Sequence, residues 1–108
     1  MTITNDDAGI CADYCKILIM KLDILVFAAH PDDAELCCAG TIAKHVSVGH
    51  KVGIVDFTRG ELGTRGTPEI REREASRASE ILKLSVRENL GLADGFFSND
   101  EMHQRAVI

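Results

Sequence analysis

The chain reads as an α/β protein: a Rossmann-like three-layer fold built on a parallel sheet and truncated after its third strand. Three observations carry that reading. Short apolar runs near Leu22–Ala29, Lys51–Phe57 and Val86–Leu90 alternate with longer amphipathic segments, the order that builds a parallel sheet. The first run is almost continuously apolar, as a strand covered on both faces is. Each run ends in a polar or glycine-bearing loop, and these loops gather at one edge of the sheet. Ligands of open α/β sheets bind at that edge, outside the carboxyl ends of the strands. With 108 residues, 45% hydrophobic and 27% charged, the composition is that of one small ordered domain.

Residues 1–19 differ in character from the rest of the chain. Their polar opening has no period, so they are expected to be a poorly ordered leader or extension, with residues 20–108 forming the folded part. Strand one is ended by Pro31, which has no N–H to give a ladder. Asp32 or Asp33 is placed to cap the next helix, from about Leu36 to Val48. Leu36, Ala39, Gly40, Ala43 and Val46 form its apolar face, with Gly40 allowing close approach to the sheet and Gly49 ending the helix in the left-handed conformation. His45 and His50 fall at the far end of this helix, away from the ligand edge.

Strand two leads into Thr58-Arg59-Gly60-Glu61-Leu62-Gly63-Thr64-Arg65-Gly66, a loop at the ligand edge whose arginines suit an anionic substrate. Helix two opens with Thr67 as N-cap and Pro68 in its first turn. Ile70, Ala75, Ala78, Ile81 and Leu82 make its buried stripe, and Arg71 lies in the first turn near the ligand edge. Strand three gives way to the loop Gly91-Leu92-Ala93-Asp94-Gly95. A third helix starts at Asn99 or Asp100.

The stretch His30-Pro31-Asp32-Asp33-Ala34-Glu35 joins strand one to helix one and carries the chemistry. A catalytic zinc takes three protein ligands and keeps a position for water. His30 and Asp33, three apart across a turn, face one point and supply two of the three. Asp32 is then free to act as general base on the water that the metal activates. This arrangement suits amide or ester hydrolysis with Zn2+ as cofactor.

Ala29-His30-Pro31-Asp32-Asp33-Ala34-Glu35 resembles the signature of the PIG-L/LmbE-like zinc-dependent N-deacetylases. The likeness continues through Gly40-Thr41-Ile42-Ala43, Thr58-Arg59-Gly60-Glu61, Gly66-Thr67, Arg71 and Asn89-Leu90-Gly91-Leu92, and so covers essentially Met20 to Ile108. Within the family it resembles the branch that deacetylates N-acetylglucosaminyl-malate in bacillithiol biosynthesis. The resemblance implies His30 and Asp33 as zinc ligands, Asp32 as general base, Arg71 as a substrate-binding residue and Asp94 as a contact to sugar hydroxyls. The substrate it implies is a small N-acetylglucosamine conjugate. The family also carries a later His-rich motif that supplies the third ligand, and this chain stops before it. His103 is the only local substitute, and nothing in its spacing supports the role. The truncated chain is therefore expected to be inactive alone. Its open apolar edge points to marginal stability or association, including homo-oligomers.

Two other classes fit less well. A receiver-like signalling domain also places acids after strand one, around magnesium. It needs a phospho-accepting Asp at the end of strand three, where Arg87-Glu88-Asn89-Leu90 has none, and Asp56 falls before the end of strand two. A dinucleotide-binding domain needs glycines in the first βα turn, where this chain has His-Pro-Asp-Asp. The net charge of -5 and the 5% aromatic content, without Trp, argue against nucleic acid and anionic membranes as partners. The stretch Ile17–Ala29 is interrupted by Lys21 and Asp23 and is shorter than the roughly 20 apolar residues of a membrane span. The four cysteines, Cys11, Cys15, Cys37 and Cys38, show no disulfide pattern, and no secretory signal is visible, so the expected compartment is the cytoplasm.

Overall fold

The structure is a computed structural model and describes residues 21–107; the expected leader over residues 1–19, with Cys11 and Cys15, lies outside the described residues. Three strands and three helices alternate: β1 (Ile24–Ala28), α1 (Asp33–Ser47), β2 (Val52–Thr58), α2 (Pro68–Leu82), β3 (Val86–Leu92) and α3 (Glu101–Val107). The sheet is parallel throughout, in the order β1-β2-β3, with Ile24 opposite Val52 and Gly53 opposite Val86. The expected α/β architecture is therefore present, with β2 central and buried along almost its whole length.

Helices α1 and α2 touch each other and cover one face of the sheet. Ala28, Ala34, Ile42, Val52 and Ile54 form the core beneath them, joined by Ile24, Val26, Cys38, Val46, Leu82 and Leu84. On β1, Leu25 and Phe27 alternate with these inward residues and stay exposed, as the two-residue period of a strand requires. Phe27 meets Phe57 on that side, at 5.8 Å between ring centres, and Phe57 in turn meets Phe97 at 5.6 Å.

The helix faces differ in part from those read off the sequence. Helix α1 begins at Asp33, earlier than expected, and its inward stripe is Ala34, Cys38, Ile42 and Val46, at four-residue spacing. Leu36 lies off this stripe and is 80% exposed, and Ala43 is exposed as well. Gly40 faces open space: a Cβ there would meet nothing within 4 Å, so it serves no close approach. A non-helical backbone at Cys38 (φ -145°, ψ 21°) interrupts the helix. On α2, Ala75, Ala78 and Leu82 turn inward, and Ile81, one residue out of phase with Leu82, is 70% exposed. Gly49 has the expected positive φ of 94°, and the Thr67 side chain caps α2 by accepting the Ile70 N–H at 3.2 Å.

One side chain ties the layers together. Arg87 on β3 donates from Nε and Nη2 to the two Asp56 oxygens, at 2.7 and 3.1 Å, and from Nη1 to Glu35 on α1. Burial works against the Arg87 charge, but the hydrogen bonds to Asp56 and Glu35 outweigh it and hold its pKa above the ordinary value. Glu35, the last residue of the His-Pro-Asp-Asp stretch, thus has a structural partner that anchors the start of α1.

Candidate active site

The site is built where β1 and β2 end together. Thr58 donates both its N–H (3.1 Å) and its hydroxyl (2.9 Å) to the Ala29 carbonyl, which fixes the last residue before His30. The chain then turns tightly: the N–H groups of Asp32 and Asp33 both donate to the His30 carbonyl, at 2.9 and 3.2 Å. Asp33 Oδ2 accepts the His30 N–H at 3.0 Å, so the turn is closed from both sides.

This geometry decides between two uses of the carboxylates. Asp32 stands at the N-cap position of α1, yet its side chain makes no cap hydrogen bond. Asp33 turns back to His30 instead of toward the free N–H groups of the helix. The helix-capping role expected for one of them is not filled.

His30 Nδ1 lies 3.4 Å from Asp33 Oδ2. Two ligands bound to one tetrahedral zinc at about 2.0–2.1 Å stand roughly 3.3–3.4 Å apart, so this pair has the spacing of adjacent metal ligands. The donors, one imidazole nitrogen and one carboxylate oxygen, are also of the type zinc takes. Among the described residues no group of three or more His, Cys, Asp or Glu converges on one point, so a third donor is not found there. His103, the local substitute considered from sequence, bonds through Nδ1 to Asp100 at 2.7 Å. It lines a separate cavity with Phe57, Leu92 and Phe97.

Asp32 is half-exposed, with Oδ1 accepting from Arg71 Nη2 at 3.3 Å. Arg71 Nη1 donates to the Gly60 carbonyl at 2.9 Å, so the arginine bridges the first βα turn and the glycine-rich loop. Gly60 is required twice over. Its φ is +67°, and a Cβ there would fall 1.8 Å from Arg71 Nη1. A cavity of about 350 Å³ beside Asp32 is lined by Gly63, Thr64, Arg65, Gly66, Arg71 and Glu74. Of the two loop arginines, Arg59 pairs with Glu72 at 3.1 Å, while Arg65 lines this cavity.

Asp94 reaches the site from the loop after β3 and is only 7% exposed. Its Oδ1 lies 2.8 Å from His30 Nε2, and its Oδ2 accepts the Leu62 N–H at 3.0 Å. The Leu62 N–H, with the contact to His30 next in strength, holds the Asp94 carboxyl below its ordinary range. The hydrogen bond to Asp94 in turn raises the His30 pKa, against a smaller opposing effect of burial. His30, Asp32, Asp33, Arg71 and Asp94 are therefore brought together. His45 and His50 stand at the opposite end of α1 and hydrogen-bond each other through their Nδ1 atoms at 2.8 Å.

Sequence reasoning gave no role to Thr58 and Glu61, which brace the site through hydrogen bonds. Glu61 accepts the Asp94 N–H at 2.7 Å, and Asn89 donates to the Thr58 carbonyl at 2.7 Å. The available signal was a polar residue ending an apolar strand just before a glycine-rich loop.

A parallel α/β sheet with a His–carboxylate pair at its carboxyl edge defines the class: a Rossmann-like α/β protein whose polar site lies at the ligand edge of the sheet. The sequence profile of the PIG-L family, GlcNAc-PI de-N-acetylase, matches residues 25–108, and the chain belongs to that family. It is 40% identical over 58 residues to the 1D-myo-inositol 2-acetamido-2-deoxy-alpha-D-glucopyranoside deacetylase of Actinosynnema mirum, covering 54% of this chain and 20% of that protein. It is 33% identical over 81 residues to the probable N-acetyl-alpha-D-glucosaminyl L-malate deacetylase 2 of Bacillus anthracis, covering 66% of this chain and 36% of that one. Among solved structures, a conserved protein of Thermus thermophilus superposes with a TM-score of 0.71 at 51% identity, covering 76% of this chain and 37% of that chain. The chain thus spans between a fifth and two fifths of the length of these relatives. The receiver-like alternative finds no support: its nearest acid, Asp56, is buried and held by Arg87, closed to a phosphoryl donor. No helix among the described residues is long and apolar enough to cross a membrane.

Proposed function

We propose that this chain carries the metal-binding and general-base half of a cytoplasmic zinc-dependent deacetylase. Its substrate class is an N-acetylglucosaminyl conjugate, N-acetylglucosaminyl-malate foremost. The observation that carries the reading is the His30–Asp33 pair at ligand spacing, beside an Asp32 that caps no helix. The names of the relatives from Actinosynnema mirum and Bacillus anthracis support the substrate class.

His30 Nδ1 and Asp33 Oδ2 would hold the metal. When bound, zinc supplies a Lewis acid for the acetamide carbonyl and lowers the pKa of water. Asp32 Oδ2 has no partner among the described residues and accepts the proton that the attacking water loses. Arg71 keeps Asp32 Oδ1 in place and lines the adjacent cavity, where it can also meet the substrate. Hydrolysis breaks the amide C–N bond and yields acetate and a free amine.

The test is zinc affinity of the purified chain beside Asp33→Ala, with amine release from N-acetylglucosaminyl-malate followed in parallel. Zinc uptake that Asp33→Ala abolishes supports the reading. Equal uptake by both proteins, or none by either, overturns it.

A further inference from the structure

Asp94 has the burial and the bonding of a residue that sets up another one. Both of its carboxylate oxygens are spent inside the protein, on the His30 ring and on the Leu62 N–H. Its own N–H is taken by Glu61. Two contacts from the glycine-rich loop therefore fix its position independently of His30, and at 7% exposure it offers little surface to a sugar hydroxyl.

We infer that Asp94 is a positioning residue that selects the ring tautomer of His30, with the proton on Nε2 and the lone pair on Nδ1. This rests on the proposed metal site and assigns its second layer. An ionised carboxylate can only accept a hydrogen bond. At 2.8 Å from Asp94 Oδ1, Nε2 must carry hydrogen, since a lone pair there would face an oxygen lone pair. The neutral ring has one N–H, and Asp94 Oδ1 at 2.8 Å is a closer acceptor for it than Asp33 Oδ2 at 3.4 Å, so Nδ1 is left bare, at ligand spacing from Asp33. The chain of contacts Glu61–Asp94–His30 thus links the glycine-rich loop to the atom that would bind metal. Carboxylate partners behind metal-binding histidines act in this way in general.

Asp94→Asn makes the inference testable. The amide has a single oxygen. If that oxygen keeps the Leu62 N–H, the NH2 group faces His30 Nε2 and drives the ring to the Nδ1–H tautomer. The experiment is a long-range 1H–15N correlation of the histidine rings at alkaline pH, where they are neutral, with His30→Gln to assign the signals. Zinc affinity is measured in parallel by competition with a chromogenic chelator, and backbone amide spectra confirm folding. The expected wild-type result is a single Nε2–H tautomer whose Nδ1 signal moves when zinc is added. Asp94→Asn shifts the ring to Nδ1–H and weakens zinc binding by about 10–100-fold. Asp94→Ala gives mixed tautomers and an intermediate loss. A wild-type tautomer and affinity in Asp94→Asn overturn the inference while leaving the metal site intact. An Asp94-dependent tautomer in a chain that binds no zinc overturns the metal reading, and with it the link from tautomer to metal.

Discussion

Arg87→Met should be among the most damaging single substitutions in this chain, although Arg87 touches no part of the candidate active site. Methionine keeps much of the buried stem and removes the guanidinium. Asp56, 2% exposed, then loses both of its charge-assisted hydrogen bonds. Glu35 loses its bond from Nη1 as well, but it is partly exposed and water can replace some of what is lost. The cost is therefore set by Asp56. Removing one partner of a buried pair costs about 3–5 kcal/mol, because the other charge stays buried without compensation. A domain of this size has a total stability of about 5–15 kcal/mol, so the variant should approach the limit of folding. Urea unfolding monitored by circular dichroism gives the number. Burial pushes the Asp56 carboxyl above the ordinary value, and Arg87 works against that push. Without Arg87 the folded pKa lies higher still above the unfolded one. The folded variant then holds its proton more tightly than the unfolded chain does. Its deficit is full above the folded pKa and shrinks as pH falls through that value. A loss below about 1 kcal/mol, the range of exposed ion pairs, together with a pH profile parallel to wild type, would refute the reasoning.

Two further predictions test the loop and the last helix. Gly60→Ala forces a side chain into a backbone at φ +67° and against Arg71, whereas the same change at Gly40 meets nothing within 4 Å. The first should cost at least about 1–2 kcal/mol and the second should stabilise by up to about 1 kcal/mol, both read by thermal unfolding; equal effects would count against the structure of the loop. Asp100, bonded by the Ser98 hydroxyl and then by the His103 N–H and ring, should titrate at about 2 in an NMR carboxyl titration. Because its folded pKa is depressed, its contribution to stability is present above the unfolded value of about 3.9 and fades as pH falls through the folded value; a midpoint near 4 would mean that this capping arrangement is not formed.

Much of the architecture was legible because its signals are local. Apolar runs of strand length, Thr67-Pro68 at a helix start and Gly49 at a helix end each act within a few residues, and the elements form there. The ring and carboxylate of His30 and Asp33 were legible too, since a three-residue turn alone brings them to one point. Helix faces were less so. The inward stripe of α1 runs through Ala34, Cys38, Ile42 and Val46, with a non-helical backbone at Cys38 breaking the regular phase, and the pattern of Leu36, Gly40 and Ala43 looked equally apolar on the wrong side.

What the sequence determined by itself was the set of elements and the position of the His-Pro-Asp-Asp turn at a strand end. Only the tertiary structure decided what the neighbouring polar residues do. Asp94 is 64 positions from His30, Arg71 is 39 from Asp32, and Arg87 is 52 from Glu35. No periodicity reports such pairs, because they exist only once the parallel register brings the strand ends and their loops to one edge. The same register buries Asp56 and Arg87 as partners and turns Asp94 toward a histidine ring, placing its charge behind the site.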